Sequence, residues 1–394
     1  MIDHWQCWRV FCVWLAVLAA SAVAPAEEPT LLQGAAYSED VAAAKLMEMA
    51  RRYPNREAWQ QRAAMLRQGI LQGLQLDGIE RPTDLRVIRH SKREFDGYTV
   101  ENIAIESLPG FWITGNLYLP ATIDGKIPAV LNPHGHWPDG RLRDDMQIRC
   151  AAQARMGAAA LAYDMVGFGE STACEHRADS RVLRLQTFNS MRVVDFLLSL
   201  SFVDGNRLAI TGASGGGTQS FLLAAVDDRI DLSMPVVMVS AHFFGGCVCE
   251  SGMPIHKTVD YETNNVEIAG LIAPKPLLVV SDGDDWTSNL PQVEYPHLQK
   301  IYGMFDATGR VQNAHFADEG HDYGRSKREA TYRFLANHFA LDLSTLQGDD
   351  GNINESFVEL QTADRLKVFV EPHVPQQRVT CAEANAWLDA RRSR

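Results

Sequence analysis

The sequence has no surplus of positive charge, no internal repeat and no low-complexity tract. Lys and Arg total 37 against 49 Asp and Glu, a formal net charge of -12. An acidic chain argues against nucleic acid or an anionic membrane surface as a main partner. Cysteine is sparse, and Cys247-Val248-Cys249 is not a C-x-x-C redox motif. No run of cysteines and histidines has the local spacing of a zinc site. Apolar runs are short, and the one at Phe11 to Ala24 falls below the length of a membrane span. It precedes Ala24-Pro25-Ala26, a small-residue cleavage signature, so residues 1–26 read as a signal peptide and the mature chain as secreted or periplasmic, without stable membrane association. Cleavage there leaves five cysteines, Cys150, Cys174, Cys247, Cys249 and Cys381, so at least one is unpaired. What is present is an ordinary globular composition, 46% hydrophobic and 22% charged over 394 residues.

The pattern changes along the chain. Ser38 to Leu76 carries apolar residues at three- and four-residue intervals, interrupted by Pro54, and predicts an N-terminal helical extension within 27–84. From Leu85 to Leu119, alternating runs such as Tyr98 to Ile105 predict an antiparallel ribbon. Beyond Ile127, strands and helices alternate. Strands are expected at Pro128–Asn132, Ala158–Tyr163, Arg207–Thr211, Val236–Val239, Pro276–Ser281 and Gln312–Phe316. Helices are expected at Cys150–Met156, Val182–Leu200, Ser214–Ala225 and Ser326–Phe339. This alternation implies right-handed crossovers and a mostly parallel sheet with helices on both faces, an α/β catalytic domain over 85–340. Ala241 to Gly270 lacks a period and lies between two strands, where an insertion could cover the site. Residues 341–394 form a polar C-terminal extension with one helix signal, the capping box Thr380-x-x-Glu383.

Chemistry concentrates at the strand ends. Leu208 to Thr211 runs into Gly212-Ala213-Ser214-Gly215-Gly216, a G-x-S-x-G turn between a strand and a helix. Such a turn holds a serine hydroxyl out at the carboxyl edge of a sheet, above a helix N-terminus that favours negative charge. Ser214 is the expected nucleophile. His321, after the last predicted strand, is the expected base. The acid that orients it is expected after the preceding strand, where Asp282, Asp284 and Asp285 are candidates. An oxyanion hole needs two backbone N–H donors: one from Gly215, the other from Gly135 or His136 in the turn Asn132-Pro133-His134-Gly135-His136-Trp137. His134-x-His136 could suggest a metal, but no third ligand lies at a recognised spacing, so no metal or other cofactor is expected.

Taken together these motifs resemble the α/β-hydrolase superfamily, over about Leu117 to Phe339. Ala162-Tyr163-Asp164-Met165-Val166-Gly167-Phe168-Gly169-Glu170-Ser171 looks like the turn after strand four, and His134-Gly135 like the HG pair of many esterases. The likeness is to acetyl xylan esterase-like and dienelactone hydrolase-like members. The prolyl oligopeptidase group shares Gly217 and the Asp-Asp turn. The resemblance implies an eight-stranded sheet, an acyl-enzyme intermediate and Asp284 as the acid, with Asp285 the alternative. Two departures are the third consecutive glycine at 215–217 and the helical extension.

The function expected is a secreted serine carboxylic ester hydrolase acting on a small-molecule or polysaccharide ester, of acetyl xylan type. Trp137 and Trp286 flank the catalytic loops and are expected to stack on sugar rings or to form pocket walls. One alternative is a prolyl oligopeptidase-type peptidase without a propeller, since about a hundred residues precede the catalytic region and each blade needs roughly 40–45. Another is a non-catalytic binder on a hydrolase scaffold.

Overall fold

The computed structural model describes residues 37–392, so the signal-peptide reading lies outside the described residues. Two helices come first, α1 (Glu39–Arg51) and α2 (Arg56–Gly73), broken at Pro54 and restarted by Asn55, whose side chain accepts from Ala58 N–H. The strands are β1 (Val87–Phe95), β2 (Tyr98–Leu108), β3 (Phe111–Pro120), β4 (Ile127–Pro133), β5 (Ala159–Tyr163), β6 (Val203–Ala213), β7 (Leu232–Val236), β8 (Leu277–Asp282) and β9 (Val311–Phe316). Helices α3 (Asp144–Arg155), α4 (Val182–Ser199), α5 (Gly215–Val226), α6 (Val248–Ser251), α7 (Asn265–Gly270), α8 (Glu294–Gly303), α9 (Arg325–Phe339), α10 (Ala363–Leu366) and α11 (Cys381–Asp389) complete the set.

All the strands join one nine-stranded sheet in the order β1-β2-β3-β5-β4-β6-β7-β8-β9. β1 to β3 pair antiparallel, and β3 meets β5 antiparallel; from β5 to β9 every pair is parallel. The parallel strands β4, β5, β7 and β8 are buried on both faces, as a sheet covered by crossover helices requires, whereas the edge strand β9 is part-exposed. The resemblance implied eight strands, and there are nine because the ribbon is three-stranded. The strand expected at Val236–Val239 lies earlier, at Leu232–Val236. Val237 has φ +47°, a conformation a β-branched residue rarely adopts, and it ends the strand although the apolar run continues through Val239. Helix α8 was not foreseen.

The parallel register brings the ends of β4, β5, β6, β8 and β9 to one edge. The loop between β7 and β8 is braced there by the N-terminal helices. Arg62 of α2 forms a buried ion pair with Glu267 of α7, at 2.6 and 2.5 Å, and donates to the Glu262 carbonyl. Trp59, Leu66 and Ile70 join the main apolar cluster with Leu271 and Leu298. At the other end of the chain, α11 starts at the capping box expected from Thr380 and Glu383 and places Leu388 in the same cluster. A disulfide, Cys174–Cys381, ties the loop after β5 to α11; Cys150, Cys247 and Cys249 are free and buried.

Candidate active site

Ser214 sits between β6 and α5 with φ +57° and ψ -125°. For a residue with a side chain this is strained backbone, of order 1–3 kcal/mol. It persists because the surroundings leave no alternative path. The Ser214 N–H donates to Val236 O on the neighbouring strand at 3.1 Å. A Cβ on Gly212 would lie 2.4 Å from the Pro133 carbonyl, and one on Gly216 2.5 Å from the same atom. The triple glycine therefore has a packing cause. Gly215 faces the His136 ring (2.8 Å from a would-be Cβ), Gly216 the β4 turn, and Gly217 the Val236 carbonyl at 2.8 Å. As the first residue of α5, Gly215 has an N–H with no acceptor inside the helix.

The turn after β4 lies directly against this elbow. A Cβ on Gly135 would sit 2.8 Å from the Ala213 carbonyl and 2.3 Å from the Trp137 ring. Both expected oxyanion segments, Gly135-His136 and Gly215, thus border Ser214. His134 is excluded from ligand work: its Nδ1–H donates to the Gly135 carbonyl at 2.8 Å and its Nε2 accepts from Met165 N–H at 3.0 Å. Burial pushes its pKa down to about 4, so it stays neutral and locks two turns together.

His321 follows β9 and is part-exposed, with Nδ1 2.6 Å from Asp285 Oδ2. Asp285, not Asp284, holds the imidazole, which corrects the expected acid. The reason is the turn after β8. Gly283 passes so close to the Ala317 backbone that a Cβ would lie 1.9 Å from its carbonyl oxygen. Asp284 is left exposed, its Oδ2 3.7 Å from the Cβ that Gly320 lacks. The Asp285 carboxylate is nearly fully buried; its Oδ1 accepts from the N–H and hydroxyl of Thr287, both at 2.6 Å. The third candidate, Asp282, is buried against Lys327, at 3.1 Å. Lys327 Nζ also binds the Gly320 carbonyl and Asp322 Oδ1, fixing the loop on either side of His321.

Both expected tryptophans meet this histidine. Trp286 lies 4.6 Å and Trp137 5.9 Å from His321, centroid to centroid, and Phe243 from the β7–β8 loop packs on Trp286 at 4.2 Å. Trp137, in the turn that borders Ser214, thus also stacks beside the His321 ring.

Sequence reasoning missed a second cluster. His136, His176, Cys247 and Cys249 bring one ligand atom each within 4.8 Å of one another. They come from three loops, after β4, β5 and β7, so no local spacing could reveal them. The Cys247 thiol is held far below its ordinary pKa, chiefly by a hydrogen bond from Cys249 and also by His136 and His176, against the effect of burial. Burial pushes the Cys249 thiol up.

The sheet and the strained turn after β6 are those of an α/β-hydrolase, and the relatives place the chain among its esterases. Within that class the chain belongs to the family of methylesterase BT1017, to whose structure it is 38% identical with a TM-score of 0.83, covering 91% of this chain and 80% of that one. It is also similar to the 4-O-methyl-glucuronoyl methylesterase of Phanerochaete carnosa (strain HHB-10118-sp), 22% identical over 258 residues, 53% of this chain and 62% of the relative. A CE15 glucuronoyl esterase from Teredinibacter turnerae T7901 shares the fold at 14% identity and a TM-score of 0.55, covering 78% of this chain and 96% of that one. No protein-family model matches the chain.

Proposed function

We propose that this esterase works through a Ser214–His321–Asp285 triad and hydrolyses a methyl ester of a sugar acid. The observation that carries the mechanism is the buried Asp285 carboxylate on His321 Nδ1, which leaves Nε2 as the acceptor for a hydroxyl proton. Ser214 attacks the ester carbonyl as His321 takes its proton. The N–H groups of Gly215 and of Gly135 or His136 receive the developing oxyanion. His321 then protonates the departing alkoxide, and water resolves the acyl-enzyme by the same route.

The substrate reading rests on two relatives named as methylesterases, one of them for a glucuronoyl group. It takes the acyl side of the ester to be the sugar itself, beside the acetyl xylan type expected from sequence. Trp286, backed by Phe243, offers an aromatic wall for such a ring. Export is part of the proposal. The Phe11 to Ala24 run supports it, as does the Cys174–Cys381 disulfide, which persists in oxidising compartments. Among the described residues no helix is long and apolar enough to cross a membrane.

The test is a panel of methyl glucuronate and galacturonate esters, acetylated xylan and p-nitrophenyl acetate, with methanol and acetate measured as products. Methanol release should dominate; acetate from xylan with the methyl esters untouched would reverse the substrate reading. Ser214→Ala should lower kcat by about four orders of magnitude or more while leaving the unfolding midpoint near wild type. A fluorophosphonate that labels the wild type elsewhere than Ser214 would refute the mechanism.

A further inference from the structure

The His136 cluster has a chemistry that the triad does not use. His176 Nδ1 lies 2.5 Å from the Val166 carbonyl, which can only accept, so Nδ1 carries the hydrogen and Nε2 presents a lone pair. That lone pair faces His136 Nε2 at 3.1 Å. His136 Nε2 is also 3.1 Å from Cys249 Sγ, while its other nitrogen looks toward Glu250 Oε1 at 3.7 Å. Glu250 is fixed in turn, its Oε2 accepting from Cys247 N–H at 2.9 Å. Two imidazole nitrogens and two sulfurs therefore converge, with carbonyl and carboxylate groups behind the histidines. Three of the four residues are buried and His136 is nearly so. In the tautomer that keeps its hydrogen on Nδ1, toward Glu250, His136 turns a second lone pair into the same space, where one cation can take both.

We propose that His136, His176, Cys247 and Cys249 form a four-coordinate site for a thiophilic divalent ion of the zinc class. Two nitrogens and two sulfurs are the donor set that selects zinc over harder ions. Zinc bonds of about 2.0–2.1 Å to nitrogen and about 2.3 Å to sulfur give tetrahedral edges of roughly 3.3–3.8 Å. The cluster, with its 3.1 Å contacts and 4.8 Å outer limit, closes onto such an ion with small side-chain shifts. Two thiolates neutralise the double charge, and their protons leave to solvent on binding. The Val166 carbonyl and the Glu250 carboxylate orient the imidazoles as partners of metal-bound histidines do.

Four protein ligands leave no open position, so the ion's role is to hold structure. It joins the β4 turn, the segment after β5 and the β7–β8 loop beside Gly215, whose missing Cβ the His136 ring displaces. The site stands on side-chain geometry alone and does not depend on the serine mechanism or the substrate.

The experiment uses the full chain, isolated from cells under argon and then supplied with one equivalent of Zn²⁺ or Co²⁺ and desalted. Expected are one metal per chain by inductively coupled plasma mass spectrometry and, with cobalt, the intense visible bands of a four-coordinate ion with thiolate-to-cobalt charge transfer. Cys249→Ser and His176→Ala should each weaken binding at least tenfold, and Glu250→Gln by about 10–100-fold with the cobalt spectrum keeping its shape. Wild-type protein that retains no metal overturns the proposal, and that measurement is independent of whether the variants fold. So does undiminished metal in both ligand variants, or a Cys247–Cys249 disulfide in the isolated chain.

Discussion

Two histidine clusters border the Ser214 elbow, and they are built for opposite ends. At His321 one nitrogen is fixed by a buried carboxylate and the other is left to react, on a part-exposed ring between two tryptophans. At His136 every polar neighbour turns inward: a second histidine, two sulfurs and a carboxylate, with little solvent contact. An imidazole that must exchange protons needs one free face. An imidazole that must hold loops together needs all its partners. On the proposals made above, the same residue type on loops of one sheet edge is given chemistry in one place and architecture in the other by its neighbours.

The sharpest way to break this contrast is to swap the carboxylates after β8. Asp285→Asn should lower kcat by about four orders of magnitude, because the amide no longer favours the tautomer that leaves His321 Nε2 free. Steady-state kinetics would settle it, and a mild Asp285→Asn beside a severe Asp284→Asn would restore the acid first expected. Next comes the disulfide. Cys174 lies two residues before His176, so Cys174→Ser with Cys381→Ser should loosen the architectural side. Stability should fall by about 5 kcal/mol, since the bond closes a separation of 207 residues. Denaturant titration reads the loss; a collapse of kcat with unchanged stability would contradict the division of labour.

A smaller effect is expected at Glu294, buried at the start of α8 and accepting from Ala241 N–H at 3.0 Å, where the β7–β8 loop begins. Burial raises its pKa to about 7. The folded state thus binds this proton more tightly than the unfolded chain, whose carboxyl titrates near about 4.3. Its contribution is favourable below that value and is lost as pH rises through about 7. Glu294→Gln keeps the acceptor and removes the charge, so it should raise stability at pH 8 by about 3 kcal/mol and leave pH 4 nearly unchanged. Unfolding midpoints at the two pH values check it, and equal shifts at both would exclude ionisation as the cause. Least of all, Asp284→Asn should change kcat by roughly twofold at most, as for other exposed carboxylates.

Where the sequence was legible, the signal was local. The strand, glycines and helix around Ser214 form one continuous segment, as do β9 with His321 and the capping box of α11. Where it failed, the deciding contact was distant or fell on a single dihedral. The end of β7 is set by the positive φ of Val237 within an apolar run that continues past it. Asp284 and Asp285 are neighbours of identical chemistry, and only the folded turn, with Gly283 against Ala317 and Thr287 donating to Asp285, distinguishes the one that turns inward. Residue types and spacings determined the α/β order, the elbow and the position of the His321 loop, because those depend on a period or a turn written in consecutive residues. Tertiary structure alone chose the acid and gathered His136, His176, Cys247 and Cys249, because carboxylate direction and ligand convergence are properties of loops that meet only once the sheet has formed.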